Sequence, residues 1–409
     1  MKWVAVFNGA RDQYQVPLAM AQAGRLEALV TDWYSPLDRS WARAVQAALP
    51  ARVGAALRRR YAPGLPSARV VPLWSQALRQ ARGADLARVD AALGAHAGRL
   101  AARRGAGLLA YSYYAHDAFT AYGSAGPRVL FQVHPHPASL RALFRDEMAR
   151  VPQADSLAGE EEMRDAGERF GRLSREPLLA DLCIAASRYT GRTLVENGVD
   201  PARVRVVPYG VDVEYLHPAA ERAPGPLRVL FAGQMVQRKG LSDLLTAWGS
   251  LGLRDAELTL VGRGRFDQGV LRSHEGSFRM ETDASRARLR ELYQQADVLC
   301  VPSLAEGFGL VYLEALACGT PVIGTVNSGA ADVVTEGRDG WVVPIRSPDA
   351  LAERLRWCHE NRDALASMRA HARETALRHD WAAFRAGVVA ALPGPGAPDD
   401  FSRGHNGGA

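Results

Sequence analysis

Short apolar runs alternate with helical stretches along most of this chain, and the alternation runs through twice. VAVF (4–7), LEALVTD (26–32), GLLAYSY (107–113), RVLFQVH (128–134) and DLCIAAS (181–187) each read as a strand, and VRVVPYGVD (204–212) closes the series. After a proline-rich linker, APGPL (223–227), the pattern restarts with RVLFAG, LTLVG (258–262), ADVLCVPS (296–303) and TPVIGT (320–325). Strands separated by helices are joined in parallel, so each series predicts a doubly wound α/β sheet. In such sheets ligands bind outside the carboxyl ends of the strands, and two of them in one chain imply a cleft between domains. With 409 residues the chain is too long for a single core.

Charge and cysteine usage narrow the classes. The net charge of +6 is carried almost wholly by arginine, because Lys2 and Lys239 are the only lysines. Between Arg52 and Arg104 eleven arginines face two acids, Asp85 and Asp90. A patch of that kind either favours anionic partners (phospholipid head groups, a lipid diphosphate or nucleic acid) or is a solvated helical face in an arginine-rich chain. No nucleic-acid-binding motif accompanies it, so no nucleic-acid partner is expected. Trp41, Val45, Leu49, Val53 and Leu57 recur every four residues and are interrupted at Pro50. A helix packed on its own sheet is the plainer reading of that stretch, and a helix lying on a membrane surface is the other. The four cysteines, Cys183, Cys300, Cys318 and Cys358, are widely spaced in apolar settings and read as buried thiols. No run of about 18 apolar residues occurs, so no spanning helix is expected. A polar turn cuts off the first apolar run after six or seven residues, which reads as a strand rather than a signal peptide. The expected location is the cytoplasm, with the inner face of the membrane as a place of peripheral contact.

The densest chemical signal is PSLAEGFGLVYLEALACGTPVIGT (302–325). A strand ends at Val301, a loop presents Glu306, and Gly307 and Gly309 permit close backbone approach where a helix begins. Free N–H groups and the positive dipole end there suit a phosphate. Glu314 follows eight residues after Glu306. Carboxylates accept paired hydrogen bonds from vicinal diols, the contact that a sugar and a ribose both offer. A second segment, FAGQMVQRKGLSDLLTAW (231–248), sets Arg238 and Lys239 just past a strand. A lysine kept where arginine serves almost everywhere else suggests a local demand for a compact ammonium.

These residues resemble family 4 of the retaining GT-B glycosyltransferases. Glu306 and Glu314 stand as the E-x7-E pair, and FAGQMVQRKG matches the strand–loop signature whose lysine neutralises the donor diphosphate. SRYTGRTLVENGVDPARVRVVPYGVDVEYLHP (187–218) matches the family's connecting segment, with Tyr209 and Tyr215 replacing the usual Asn and Phe. The resemblance implies two facing Rossmann-like domains with parallel sheets and a C-terminal helix that crosses back to the first domain. The boundaries it implies are an acceptor domain over 1–205, a donor domain over 206–377, a crossover helix over 378–392 and a disordered tail over 393–409. It further implies that Glu306 contacts the donor sugar, Glu314 the ribose and Lys239 the diphosphate. Gly307, Phe308, Gly309 and Leu310 complete that loop. Gln234 stands where an arginine is usual, and Arg238 supplies the second positive charge. In the first domain Gly9 marks a turn with one glycine where the family has two. His134 after RVLFQV matches the histidine that faces the donor sugar, with His116 and His136 as alternatives.

The implied activity is transfer of a sugar, with retention, from a nucleotide diphosphate sugar to a glycan or lipid-linked acceptor in bacterial surface-polysaccharide assembly. No metal or other cofactor is implied. A nucleotide-sugar 2-epimerase would lack the E-x7-E and R-K-G arrangement, and a glycogen-type phosphorylase would be longer and need a pyridoxal lysine. The non-enzyme alternative is a catalytically silent subunit that binds nucleotide sugar or glycan in an assembly complex, because Gln234 and the reduced glycine loop depart from the pattern.

Overall fold

A computed structural model describes residues 1–151, 154–164, 167–222 and 224–394. The expected tail beyond 394 and Ala223 of the linker lie outside the described residues.

Each series of apolar runs forms the body of one parallel sheet, and strands at 70–72, 279–281 and 340–343, which the runs do not include, stand at sheet edges. The first contains β1 (Trp3–Val6), β2 (Leu26–Thr31), β3 (Val70–Pro72), β4 (Gly107–Tyr111), β5 (Arg128–Gln132), β6 (Leu182–Ala185) and β7 (Val204–Val206). Its spatial order is β3-β2-β1-β4-β5-β6-β7. The second contains β8 (Leu227–Ala232), β9 (Ala256–Val261), β10 (Arg279–Glu281), β11 (Val298–Cys300), β12 (Val322–Thr325) and β13 (Gly340–Val343). It repeats the same winding, β10-β9-β8-β11-β12-β13. Every ladder is parallel, from Trp3↔Gly107 in the first sheet to Thr325↔Val343 in the second. Helices cover the sheet faces, so the central strands lose their inside–outside alternation; β1, β4 and β11 are buried at every position. All four cysteines are buried and unpaired.

The order fixes where a ligand can sit. In each sheet the winding reverses between the first strand and its neighbour on the other side, β1/β4 and β8/β11, and this reversal leaves a crevice at the carboxyl ends. Loops 8–14 and 112–114 leave one crevice, and loops 233–240 and 301–309 leave the other. The two sets meet. Thr190 Oγ1 donates to the Gly307 carbonyl at 3.0 Å, Arg192 donates to Asn327 Oδ1 at 3.0 Å, and Arg346 Nε donates to Glu147 Oε2 at 2.7 Å.

Helix Trp381–Ala391 follows the second domain's helices but packs on helix Gln15–Gln22 of the first. Arg385 donates to Gln15 Oε1 at 2.7 Å, and Arg25 reaches the carbonyl of Val389 at 3.3 Å. Phe384 stacks on Tyr209 with ring centroids 5.3 Å apart, which clamps the connecting segment under the crossing helix.

The stretch around Pro50 departs from the plainer expectation. It forms two short helices, Ser40–Ala48 and Ala51–Arg59, joined through extended Leu49 and Pro50. Trp41, Val45, Leu49 and Val53 point to solvent instead of packing on the sheet. Proline cannot continue the first helix, so two short segments replace the one long stripe that could have covered the core.

Candidate active site

β8 ends at Ala232, and the chain runs through Gly233 and Gln234 into a single turn, Gln237–Lys239, before helix Leu241–Leu251. The turn brings Arg238 and Lys239 to the second crevice. Loop 301–309 leaves β11 beside it and carries Glu306. Lys239 Nζ and Arg238 both donate to Glu306 Oε2, Arg238 at 3.1 Å. Gln234 Oε1 accepts from Arg238 at 2.9 Å. The residue in the usual arginine position therefore aims the neighbouring arginine. Burial alone would raise the Glu306 carboxyl, but Lys239 and Arg238 outweigh it and hold it at about 2. Glu306 is thus an anion at any physiological pH.

Gly309 takes φ +87°, in the left-handed region that a side chain resists, and turns the loop into helix Leu310–Ala317. Glu314 lies on this helix, where Tyr293 Oη donates to its Oε2 at 2.8 Å. Burial raises the Glu314 carboxyl, with the Tyr293 bond opposing. Leu310 and Glu314 line a small cavity whose opposite wall includes Gln13 of the first domain. Phe308 is buried against Gly329 and 5.7 Å from the Tyr209 ring, so its side chain anchors the loop while its carbonyl accepts from Gly329 N at 2.8 Å. At Gly307 a Cβ would overlap the Val133 carbonyl oxygen. The absence of a side chain is what lets the two domains touch here.

His134, directly after Val133, faces this group. Its ring packs edge-on to Tyr113 at 6.0 Å, and its carbonyl accepts from Gln132 Nε2 at 2.8 Å. Burial lowers the imidazole to about 4 despite the pull of Glu306. Near neutral pH the ring is uncharged and offers one donor and one acceptor. The other two histidines lie elsewhere. His136 caps helix Pro137–Arg150, accepting from Ala138 N at 3.2 Å, and its other nitrogen meets the Ser174 carbonyl at 3.1 Å. His116 lines a cavity within the first domain.

The first loop has features that one glycine did not reveal. Gly9 (φ +84°) donates its N–H to Asp32 Oδ1 at 3.1 Å. Asp12, Gln13 and Tyr14 then take three successive left-handed conformations without a glycine. Such conformations cost roughly 1–2 kcal/mol per residue and concentrate at functional sites. Tyr111 Oη holds Asp12 at 2.8 Å, and Arg11 lies 5.7 Å from each of the Tyr113 and Tyr114 rings.

Sequence reasoning also missed Glu160, whose Oε1 accepts from Arg238 Nε at 3.2 Å. The acid run Glu160–Glu162 was visible, but nothing in it pointed to a partner 78 residues away. Arg238 therefore links a carboxylate from each domain.

Two Rossmann-like domains whose switch points face each other across a cleft, closed by a returning C-terminal helix, constitute the GT-B architecture. Sucrose-phosphate synthase from Thermosynechococcus elongatus superposes with a TM-score of 0.66 at 18% identity, over 95% of this chain and 98% of that one. The Anabaena protein HepE in complex with UDP-glucose gives 0.60 at 16% identity, over 96% and 99%. Residues 213–375 match the family model described as Glycosyl transferases group 1. That segment carries Arg238, Lys239, Glu306 and Glu314. The D-inositol 3-phosphate glycosyltransferase of Nocardiopsis dassonvillei is 33% identical over 236 residues, covering 51% of this chain and 54% of that protein. The chain thus spans about half the length of this curated relative.

Proposed function

We propose that the protein transfers a sugar, with retention, from a nucleotide diphosphate sugar to a glycan or glycolipid acceptor in the assembly of a bacterial surface polysaccharide. The observation that carries this reading is the anionic Glu306 held between Lys239 and Arg238 at the second switch point, opposite His134. Breaking the anomeric bond builds negative charge on the departing diphosphate and positive charge on the sugar. Lys239, Arg238 and the N-terminus of helix Leu310–Ala317 offset the first charge without calling on a metal. Glu306 and neutral His134 orient the sugar hydroxyls, and Glu314 accepts from the ribose hydroxyls. The acceptor oxygen bonds to the anomeric carbon on the face the diphosphate leaves, and its proton passes to the departing diphosphate oxygen. The closed contact at Gly307 would exclude water from that step.

Incubation with UDP-, GDP- and ADP-sugars, with a chelator present, tests the reading through release of nucleoside diphosphate. Cell-envelope glycolipid and D-inositol 3-phosphate, the compound named for the Nocardiopsis relative, belong in the acceptor panel. Release from one donor should fall on the order of 100-fold or more in Glu306→Ala and Lys239→Ala. Nucleotide binding without turnover under every condition would replace the enzyme by a silent binding subunit.

Peripheral contact with an anionic membrane is part of the same proposal. Seven of the fourteen large hydrophobic side chains exposed among the described residues fall between Trp41 and Leu86, a span that overlaps the start of the arginine-rich stretch. Among the described residues no helix is long and apolar enough to cross a membrane.

A further inference from the structure

A second cavity, of about 410 Å3, opens beyond the carboxyl end of β4. It lies between the start of helix Leu86–Arg104, residues 113–117 and helix Glu168–Leu179. A smaller cavity shares Tyr113, Leu173 and Glu176 with it and is lined by His134 as well. The two spaces share a wall, and the smaller, of about 10 Å3, borders the ring that faces the donor site; none of the donor contacts described above uses the larger.

Its charged groups are mostly spent on one another. Glu176 accepts the N–H groups of Tyr113 at 3.0 Å and His116 at 3.2 Å, where helix Ala115–Tyr122 begins. Arg172 pairs with Asp117, and Arg169 with Glu161 at 2.6 Å. Its uncommitted groups are of a different kind. Asp90 Oδ1 and His116 Nδ1 in this cavity, and Ser112 Oγ and Gln132 Oε1 in the adjoining one, are buried with no hydrogen-bond partner among the described residues. Asp90, Ser112 and Gln132 are at most 4% exposed. A buried polar atom left unpaired is costly, because it has given up water and gained no partner. Four gathered about these two neighbouring spaces mark a place where a bound molecule supplies the partners. A carboxylate and an amide oxygen accept, while a hydroxyl and a neutral imidazole can do either. Hydroxyl groups match that set. A phosphate does not, because carboxylates outnumber guanidiniums five to three in the lining and two of the three guanidiniums are already paired.

We infer that this cavity is the acceptor subsite and that it seats a neutral polyhydroxylated ring, a pyranose or cyclitol with no phosphate on the seated part. Asp90 accepts from the ring hydroxyls, and the Tyr113 edge of the cavity directs one hydroxyl toward His134. The inference rests on the glycosyltransferase reading of the cleft and adds the class of acceptor to it.

The test is ligand-observed NMR on the full chain, saturated with whichever of UDP, GDP or ADP it binds. The probes are myo-inositol and the methyl glycosides of glucose, galactose, mannose and N-acetylglucosamine, each beside its monophosphate. At least one neutral probe should bind more tightly than its monophosphate. Asp90→Asn should weaken it by about tenfold or more, the loss of one hydrogen bond to a charged group, and leave nucleotide affinity unchanged. Ala91→Phe, which fills the cavity wall, should abolish it; Asp90→Asn decides alone if that variant does not fold. Preference for the monophosphates, absence of any bound probe, or binding indifferent to Asp90→Asn would each overturn the inference. Failure to bind any nucleotide would instead overturn the reading of the cleft on which it rests.

Discussion

His134 and Glu306 are both shifted downward, for different reasons. The carboxylate stays ionised because two cations face it, and the imidazole stays neutral because burial disfavours its charge. A group whose folded pKa is depressed to about 4 binds fewer protons than the unfolded chain, in which it titrates near its ordinary value of about 6.5. Stability linked to His134 is therefore present above about pH 6.5 and declines as the pH falls toward about 4. In His134→Gln the thermal midpoint should fall less steeply across that window than in the parent, and an identical slope would show that the imidazole charges freely. Much of the site was legible at this scale. Glu306, Glu314 and Lys239 stand in ordered motifs, and Lys239 is marked further by the chain's preference for arginine. Asp90 was not legible as a site residue, since a lone acid in an arginine-rich stretch looks like solvated charge until the fold buries it. Glu160 was hidden for a related reason, because its partner lies in the other domain.

Among the elements, the loop 301–309 controls closure. Its glycine at 307 sits against the Val133 carbonyl, and Thr190 grips the Gly307 carbonyl oxygen. Both groups there are backbone, so neither can swing aside for a methyl group. Gly307→Ala should therefore leave each domain folded and the nucleotide affinity close to normal while lowering turnover. Small-angle scattering should show a larger radius of gyration than the parent. An unchanged radius together with unchanged turnover would mean that the closed contact is dispensable. Ten of the thirteen described strands could be read from sequence because buried parallel strands are short, mostly apolar runs; β3, β10 and β13, all at sheet edges, are not among those runs. The helices at 40–59 were harder. Their four-residue spacing predicts an apolar face, but spacing alone does not say what that face meets, and Pro50 turned it outward.

For the whole molecule, the outward face of those helices lies in the first domain together with the inferred acceptor cavity. Leu86, exposed, directly follows Asp85 of the cavity rim. A lipid-linked acceptor could then keep its chain in the bilayer while its head enters the cavity. Attraction to an anionic surface is worth about 1 kcal/mol for each arginine near it and is screened by salt. Co-sedimentation with phosphatidylglycerol-containing vesicles should thus exceed that with phosphatidylcholine alone, fall with added salt, and drop in a Trp41→Ser/Trp74→Ser variant, which removes two exposed indole rings. Equal sedimentation with both lipids at low salt would remove the membrane from the proposal.

The returning helix has a consequence for how the protein acquires its shape. The first sheet is complete by Val206, yet the helix that covers its Gln15–Gln22 side begins only at Trp381. During synthesis the second domain emerges in full before that cover exists. The first domain must wait with one apolar flank open, and the bond from Arg25 to the Val389 carbonyl closes a loop of 364 residues. Contacts so distant along the chain form late, and an uncovered flank in the meantime is a surface for aggregation. The last helix therefore acts as a completion signal: only a chain translated past Val389 can seal the domain that was made first.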